Sequence, residues 1–191
     1  PQPEPKTRMN ATTDSATAGS LPDQVASIHI DVAPEEVWRS ITRTGEVQRA
    51  LFNTVLESEL RPGAPLRYYS PDRKRVFIIG EVVDVDPPRR LSHTYWFTTW
   101  KSGPPTLVTW ELEEEEGGCR VTVTHSGWTE EHDKPEKSGA GWEQILGLLK
   151  RELETGDIPT SSKIMYRIMG WFMFAMPKST KAEHADEFYP G

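Results

Sequence analysis

Two ionisable residues on strand-like segments are the candidates for chemistry in this sequence. His125 lies in the alternating run 119–128 (CRVTVTHSGW), where Val121 and Val123 share its face. A histidine there can bond a ligand or act as a general acid or base; the alternative is a structural histidine whose nitrogens are bonded within the protein. Glu81 would be a useful carboxylate if it pointed inward, whereas a β-bulge would turn it to solvent. For His125 we favour the structural interpretation.

Aromatic residues are numerous and could line a pocket. Alternation places His93 and Tyr95 on one face of a strand, and Trp110 on a face of the next. Apolar pockets are commonly lined in this way, although plain core packing is the alternative, also for His93. The residues that we predict to line a ligand cavity are Tyr68, Phe77, Glu81, Tyr95, Trp110, His125, Trp142, Ile145 and Leu149.

Several signatures of enzymes and metalloproteins are absent from the sequence. It has no glycine-rich phosphate loop, no nucleophile elbow, no HExxH and no paired CxxC. His125 and His132 are too loosely spaced to indicate zinc, and Cys119 is the single cysteine. We therefore predict no catalytic residue, no metal and no cofactor. The net charge of -7 also argues against affinity for nucleic acid or anionic membranes.

The elements that must position these residues are of the α+β class. A strand is predicted over 24–31, a helix from Pro34, and a second short helix over 46–52. From 54 to 128 strands alternate with turns, which indicates an antiparallel meander. Apolar residues at helical spacing then predict one long amphipathic helix that ends at a glycine cap, over 141–156.

The predicted organisation has four parts. They are a disordered tail over 1–22, a folded domain over 23–157, an apolar helical extension over 158–177 and a polar tail over 178–191. No apolar run approaches the roughly 20 residues needed to span a bilayer. The N-terminal segment also lacks the order of a secretory signal, so we expect a cytoplasmic protein.

The apolar extension runs from Ile164 to Met176 and needs a cover. We expect it to pack on its own domain. A cavity lid or a homodimer contact comes next, because methionine-rich helices make adaptable surfaces. Binding to a membrane surface is the weakest alternative, because few basic residues flank the apolar face.

Three segments carry a resemblance to a known family. They are 33–38 (APEEVW), 80–91 (GEVVDVDPPRRL), and 123–128 (VTHSGW) leading to 141–146 (GWEQIL). Together they resemble the START-like, or SRPBCC, superfamily, and within it the activator of heat shock protein 90 ATPase homologue-like family. The resemblance covers 25–156.

The resemblance implies a helix-grip fold, also called Bet v-like, with a curved antiparallel sheet wrapped around the long helix and a hydrophobic cavity between them. Members of the superfamily bind lipids, hormones or polyketides, and some are enzymes. We favour a module that binds a small lipid-like or polyketide-like molecule without catalysis, and the enzyme question stays open. One alternative is a cyclase or aromatase that uses His125 or Glu81 as acid or base. Another is an interaction protein that stimulates a chaperone ATPase.

Overall fold

The computed structural model describes residues 20–132 and 136–189. Most of the predicted disordered tail, residues 1–19, lies outside the described residues, as do the last two residues of the predicted polar tail. The described chain begins with Ser20, which bridges Thr129, and the N–H of Leu21 donates to the carbonyl oxygen of Trp128 over 2.8 Å.

Eight strands and three α-helices follow one another within residues 20–132 and 136–189. In order they are β1 (Gln24–Ile30), α1 (Pro34–Ile41), β2 (Val47–Gln48), β3 (Thr54–Ser58), β4 (Pro65–Tyr69), β5 (Val76–Asp86), β6 (Arg90–Phe97), β7 (Thr106–Glu115), β8 (Gly118–Ser126), α2 (Glu136–Thr155) and α3 (Thr160–Phe172).

The strands form one antiparallel sheet in the order β1-β8-β7-β6-β5-β4-β3-β2. Strands β2 to β8 are a meander, and β1 pairs with the last strand. The sheet curls around α2, and side chains of both belong to one buried cluster. The α+β helix-grip fold predicted from the sequence is thereby confirmed.

Helix α2 is held by the apolar face that the sequence predicts. Ile145, Leu146 and Leu149 are buried with the sheet residues. The helix ends where the left-handed Gly156 (φ +77°) donates its N–H to the carbonyl oxygen of Glu152, as a glycine C-cap does. The predicted end is confirmed, and the helix starts before the predicted residue 141.

The predicted helix over 46–52 is wrong, because this segment forms β2 and a turn. Phe52 and Asn53 have positive φ angles, which no right-handed helix continues through. The side-chain amide of buried Gln48 donates to carbonyl oxygens around the end of α1, those of Ser40, Ile41 and Arg43. Gln48 therefore satisfies the end of one helix rather than extending a second.

The C-terminal part lies against the domain in two ways. In α3 only Ser162 is buried, while Trp171 and Phe172 are largely exposed. Residues 178–189, predicted as part of a polar tail, lie against the sheet, where Ala185 packs with Val76 and Ile79. No helix among the described residues is long and apolar enough to cross a membrane.

Candidate functional site

A cavity of about 790 Å³ lies between the sheet, α2 and α3. Its wall is mostly apolar and aromatic, and it includes residues of β4 to β8. Its lining side chains include Tyr68, Phe77, Ile78, His93, Tyr95, Trp110, His125, Trp142, Ile145, Tyr166 and Met169.

The structure brings most of the predicted cavity residues together. Tyr68, Phe77, Tyr95, Trp110, His125, Trp142 and Ile145 all line the cavity. Leu149 does not line it; this side chain is fully buried in the core that α2 forms with the sheet.

Glu81 is not in the cavity, and its predicted inward position is wrong. The pairing of β5 with β6 shifts register between Val82 and Asp84. This bulge leaves Val82 buried and Glu81 and Val83 exposed. A second shift, between Tyr68 and Tyr69 in the pairing of β4 with β5, accompanies the inward position of Phe77. Alternation alone could not locate either irregularity.

His125 is bonded through both ring nitrogens. The indole Nε1–H of Trp142 can only donate, so Nδ1 of His125 accepts its hydrogen bond, over 3.0 Å. The Thr106 hydroxyl donates to the carbonyl oxygen of Tyr95 over 3.0 Å, and it accepts from Nε2–H of His125 over 2.7 Å. The ring is therefore the neutral Nε2–H tautomer, with no nitrogen free for a ligand.

The environment of His125 keeps it neutral. Burial, together with the smaller effect of the nearby His93 and His132 rings, lowers the pKa of His125 to about 3. Protonation of Nδ1 would also break the bond from Trp142. The arrangement fits a structural role and leaves no proton acceptor for catalysis at neutral pH.

His93 lines the cavity but was not in the predicted set, which also omitted Ile78, Tyr166 and Met169. Its ring lies between those of Tyr68 and Tyr95, with centroid separations of 6.3 and 6.4 Å. Nδ1–H donates to the carbonyl oxygen of Thr94 over 2.8 Å, because a carbonyl oxygen can only accept. Burial lowers the pKa of His93 to about 4. The alternation that places His93 and Tyr95 on one face was the available signal.

His132 serves a separate aromatic cluster outside the cavity. Its ring contacts Trp100 and Trp128, with centroid separations of 5.3 and 5.2 Å. Nε2 lies 2.9 Å from the carbonyl oxygen of Pro104, and Nδ1 accepts the N–H of Thr129. Across the described residues, no group of three or more His, Cys, Asp or Glu side chains could hold a metal ion.

Helix α3 closes one side of the cavity, which the sequence indicated only as one alternative for the apolar extension. The Tyr166 hydroxyl donates to the carbonyl oxygen of Arg49 over 2.9 Å. Lys163 forms an ion pair with Asp157, and Arg49 pairs with the same carboxylate. Polar bonds therefore hold the first half of α3, while Met169 lines the cavity beyond them.

Comparison with known proteins identifies relatives of this arrangement. The sequence profile described as activator of Hsp90 ATPase homolog 1-like protein matches residues 31–154. No curated protein matches the chain at a significant level.

Solved structures share the fold. DynU16, a protein in the dynemicin biosynthetic locus, is 26% identical with a TM-score of 0.59, over 71% of this chain and 48% of DynU16. The chain thus spans about half the length of that relative. CalU16 from Micromonospora echinospora is 21% identical with a TM-score of 0.56, over 80% and 86% of the two chains. The Aha1 dimer from Colwellia psychrerythraea is 20% identical with a TM-score of 0.59, over 72% and 99%.

Proposed function

This chain belongs to the family of activator of Hsp90 ATPase homolog 1-like proteins, and from that membership and its cavity we propose that it binds a small hydrophobic ligand. The ligand would lie between the sheet and α2, with α3 over it. The observation that carries the proposal is the cavity of about 790 Å³ with its mostly apolar wall.

The size of this cavity supports binding over imperfect packing. Protein interiors are close-packed, and voids larger than a water molecule are few. Ligand pockets, in contrast, are typically about 300–1,000 Å³, mostly apolar, with a small number of polar groups. The aromatic wall from Tyr95, Trp110 and Trp142 suits a flat or aliphatic hydrophobic molecule.

Within the class of small hydrophobic molecules, we propose that the ligand is lipid-like or polyketide-like. The position of the DynU16 gene in the dynemicin biosynthetic locus is a property of that protein. At 26% identity it favours the polyketide-like class for this chain without naming a molecule.

Fluorescence titration with N-phenyl-1-naphthylamine, a neutral dye that brightens in apolar sites, tests the proposal. We expect saturable binding by the wild-type protein. Ile78 lines the cavity, so Ile78→Trp should fill it and weaken binding at least tenfold. Val83 is exposed on the same strand, so Val83→Trp is the matched control and should bind as wild type does. Equal binding by both variants would locate the dye elsewhere and contradict the proposal.

The cyclase or aromatase alternative has less support from the two residues that suggested it. Both nitrogens of His125 are bonded within the protein, and Glu81 points to solvent. A catalytic role for His125 would require loss of the Trp142 bond. If an activity is found, its persistence in Glu81→Gln and its independence of pH near neutrality would exclude this pair as acid and base.

Two partner proteins remain as alternatives. A chaperone partner rests on the family description, and no effect of the saturating protein on the ATP turnover of purified Hsp90 would exclude it. A homodimer through Ile164 to Met176 rests on the exposed apolar side of α3. The Aha1 dimer from Colwellia psychrerythraea shares the fold, at 20% identity.

A further inference from the structure

Four aromatic residues that line the cavity carry a polar group without a hydrogen-bond partner among the described residues, and one of these groups is the indole Nε1–H of Trp110. The hydroxyls of Tyr68 and Tyr95 make no hydrogen bond with any part of the chain that the structure describes. The same holds within residues 20–132 and 136–189 for Nε2 of His93, whose Nδ1–H is bonded to Thr94. Tyr68 is 4% exposed, His93 is 1% exposed and Tyr95 is half-buried, and all three side chains line the cavity.

Unpartnered buried polar groups are costly and uncommon in proteins. Other polar residues on the same wall show how this chain normally treats them. His125 is bonded on both nitrogens, and the Tyr166 hydroxyl is bonded to the carbonyl oxygen of Arg49. Three of the unpartnered groups belong to adjacent rings, with Tyr68 on one side of His93 and Tyr95 on the other. The indole N–H of Trp110 and the side-chain amide of Asn53 also line the cavity without a hydrogen bond in the described chain. The grouping on adjacent rings indicates a place where a ligand supplies the missing partners.

The hydrogen-bonding capacity of this cluster is defined. Nδ1–H of His93 is used, and burial holds the ring neutral, so Nε2 can only accept. Burial also raises the pKa of both tyrosines, so their hydroxyls stay protonated and can donate. The cluster thus offers one acceptor and two hydroxyl donors to the cavity.

The charge of the wall limits the ligand further. No lysine or arginine is among the described residues that line the cavity. A carboxylate or phosphate would lose its hydration there without gaining a cation, which costs more than a neutral group does. The carboxylate of Asp72 also lines the cavity and disfavours an anion further, while the cluster itself has no charged side chain to pair with a cation. The cluster therefore suits an uncharged polar group.

Building on the function proposed above, we propose that Tyr68, His93 and Tyr95 form a subsite for a neutral hydroxyl group, phenolic or alcoholic, on an otherwise hydrophobic ligand. The ligand O–H donates to Nε2 of His93. Its oxygen accepts from a tyrosine hydroxyl. The remaining molecule lies against the apolar wall formed by residues such as Trp110 and Ile145.

Two fluorescent probes of nearly the same shape, 1-hydroxypyrene and 1-methylpyrene, test the subsite. For each protein the ratio of the Kd of 1-methylpyrene to that of 1-hydroxypyrene is measured at pH 7. The two probes differ in their free energy of transfer from water, but this difference is the same for every variant, so it cancels when the ratio is compared between variants. We expect the ratio to fall about tenfold from wild type to the double variant Tyr68→Phe/Tyr95→Phe. A similar fall is expected for His93→Asn, because the asparagine amide retains a donor toward Thr94 while Nε2 is lost.

Tyr166→Phe is the matched control, since it removes a cavity hydroxyl that is already bonded within the protein. We expect this variant to keep the wild-type ratio. Melting temperatures of all variants verify folding; Tyr68→Phe and Tyr95→Phe remove groups without partners and should not lower them.

The outcomes separate this inference from the function on which it rests. If wild type binds both pyrenes and the ratio is the same in every variant, the hydroxyl subsite is refuted while the hydrophobic site stands. Tighter binding of pyrene-1-carboxylate than of 1-hydroxypyrene would also refute the subsite. If neither pyrene nor the naphthylamine dye binds, both proposals fail.

Discussion

The indole Nε1–H of Trp142 donates to Nδ1 of His125 over 3.0 Å and joins the long helix to the last strand of the sheet. The bond continues from Nε2–H of His125 to Thr106 and from there to the carbonyl oxygen of Tyr95. One chain of donors and acceptors therefore connects α2, β8, β7 and β6. This chain of bonds fixes one wall of the cavity. It also gives His125, the residue that the sequence offered as a candidate acid or base, a structural role.

The Trp142 bond should contribute to stability. Trp142→Phe leaves Nδ1 of His125 buried without a donor, so we expect the free energy of unfolding to fall by about 1–3 kcal/mol. Val25 is 64% exposed on β1, and Val25→Ala is the control that should change stability little. Urea unfolding of both variants measures the difference. If Trp142→Phe and its control unfold at the same urea concentration, the bond makes no measurable contribution to stability.

Stability should depend on pH through the buried histidines. The pKa of His93 is lowered to about 4, below its ordinary value of 6.5, so the unfolded chain binds more protons than the folded one between these values. Stability is therefore fully present above about pH 6.5 and is lost as the pH falls toward 4. Between pH 6.5 and 5 we expect His93 to account for roughly 1–2 kcal/mol.

His93→Asn tests this dependence. The loss of unfolding free energy between pH 6.5 and 5 should be smaller in the variant by that amount, whereas above pH 7.5 the two proteins should differ by a constant. A variant with the same loss as wild type would mean that His93 titrates normally.

Gly80 sets the close approach of β5 to β6 beside the cavity. A Cβ at Gly80 would lie 1.9 Å from the carbonyl oxygen of Thr94, the same oxygen that accepts from His93. Because both sides are backbone, we expect Gly80→Ala to destabilise the protein by roughly 2–3 kcal/mol. Gly147 in α2 has nothing within 4 Å of such a Cβ, so Gly147→Ala should stabilise by about 0.5–1 kcal/mol. Thermal unfolding should show a lower melting temperature for Gly80→Ala and a higher one for Gly147→Ala. An unchanged melting temperature for Gly80→Ala would contradict the close approach of β5 to β6.

The exposed apolar side of α3 should promote association of two copies. Trp171 and Phe174 are 80% and 81% exposed, and such patches mark interaction surfaces. Sedimentation velocity should show a dimer at micromolar concentration that Trp171→Ser/Phe174→Ser converts to monomer. Val25, exposed on β1, supplies the control Val25→Ser, which should stay dimeric. A wild-type monomer across the concentration range would disprove the contact.

The fold class and the buried faces of the main elements could be predicted from the sequence. The alternation of His93 with Tyr95 and of Val123 with His125, and the helical spacing of Trp142 and Ile145, are local periodicities. Each reports which face of an element is buried. Together with the motifs of the family, these patterns were enough to place a sheet around a long helix.

Which of these side chains face the cavity with a free polar atom depends on the tertiary structure and could not be predicted from the sequence. A register shift turned Glu81 outward, and a bulge adds one residue wherever the pairing requires it, so no periodicity predicts it. Bonds from Trp142 and Thr106, both distant in sequence, saturated His125. The neighbours of His93 left its Nε2 without a protein partner in the described chain. Hydrogen-bond partners depend on how separate elements meet, because a bond requires two atoms to lie within about 3 Å of each other, and only the folded chain sets that distance.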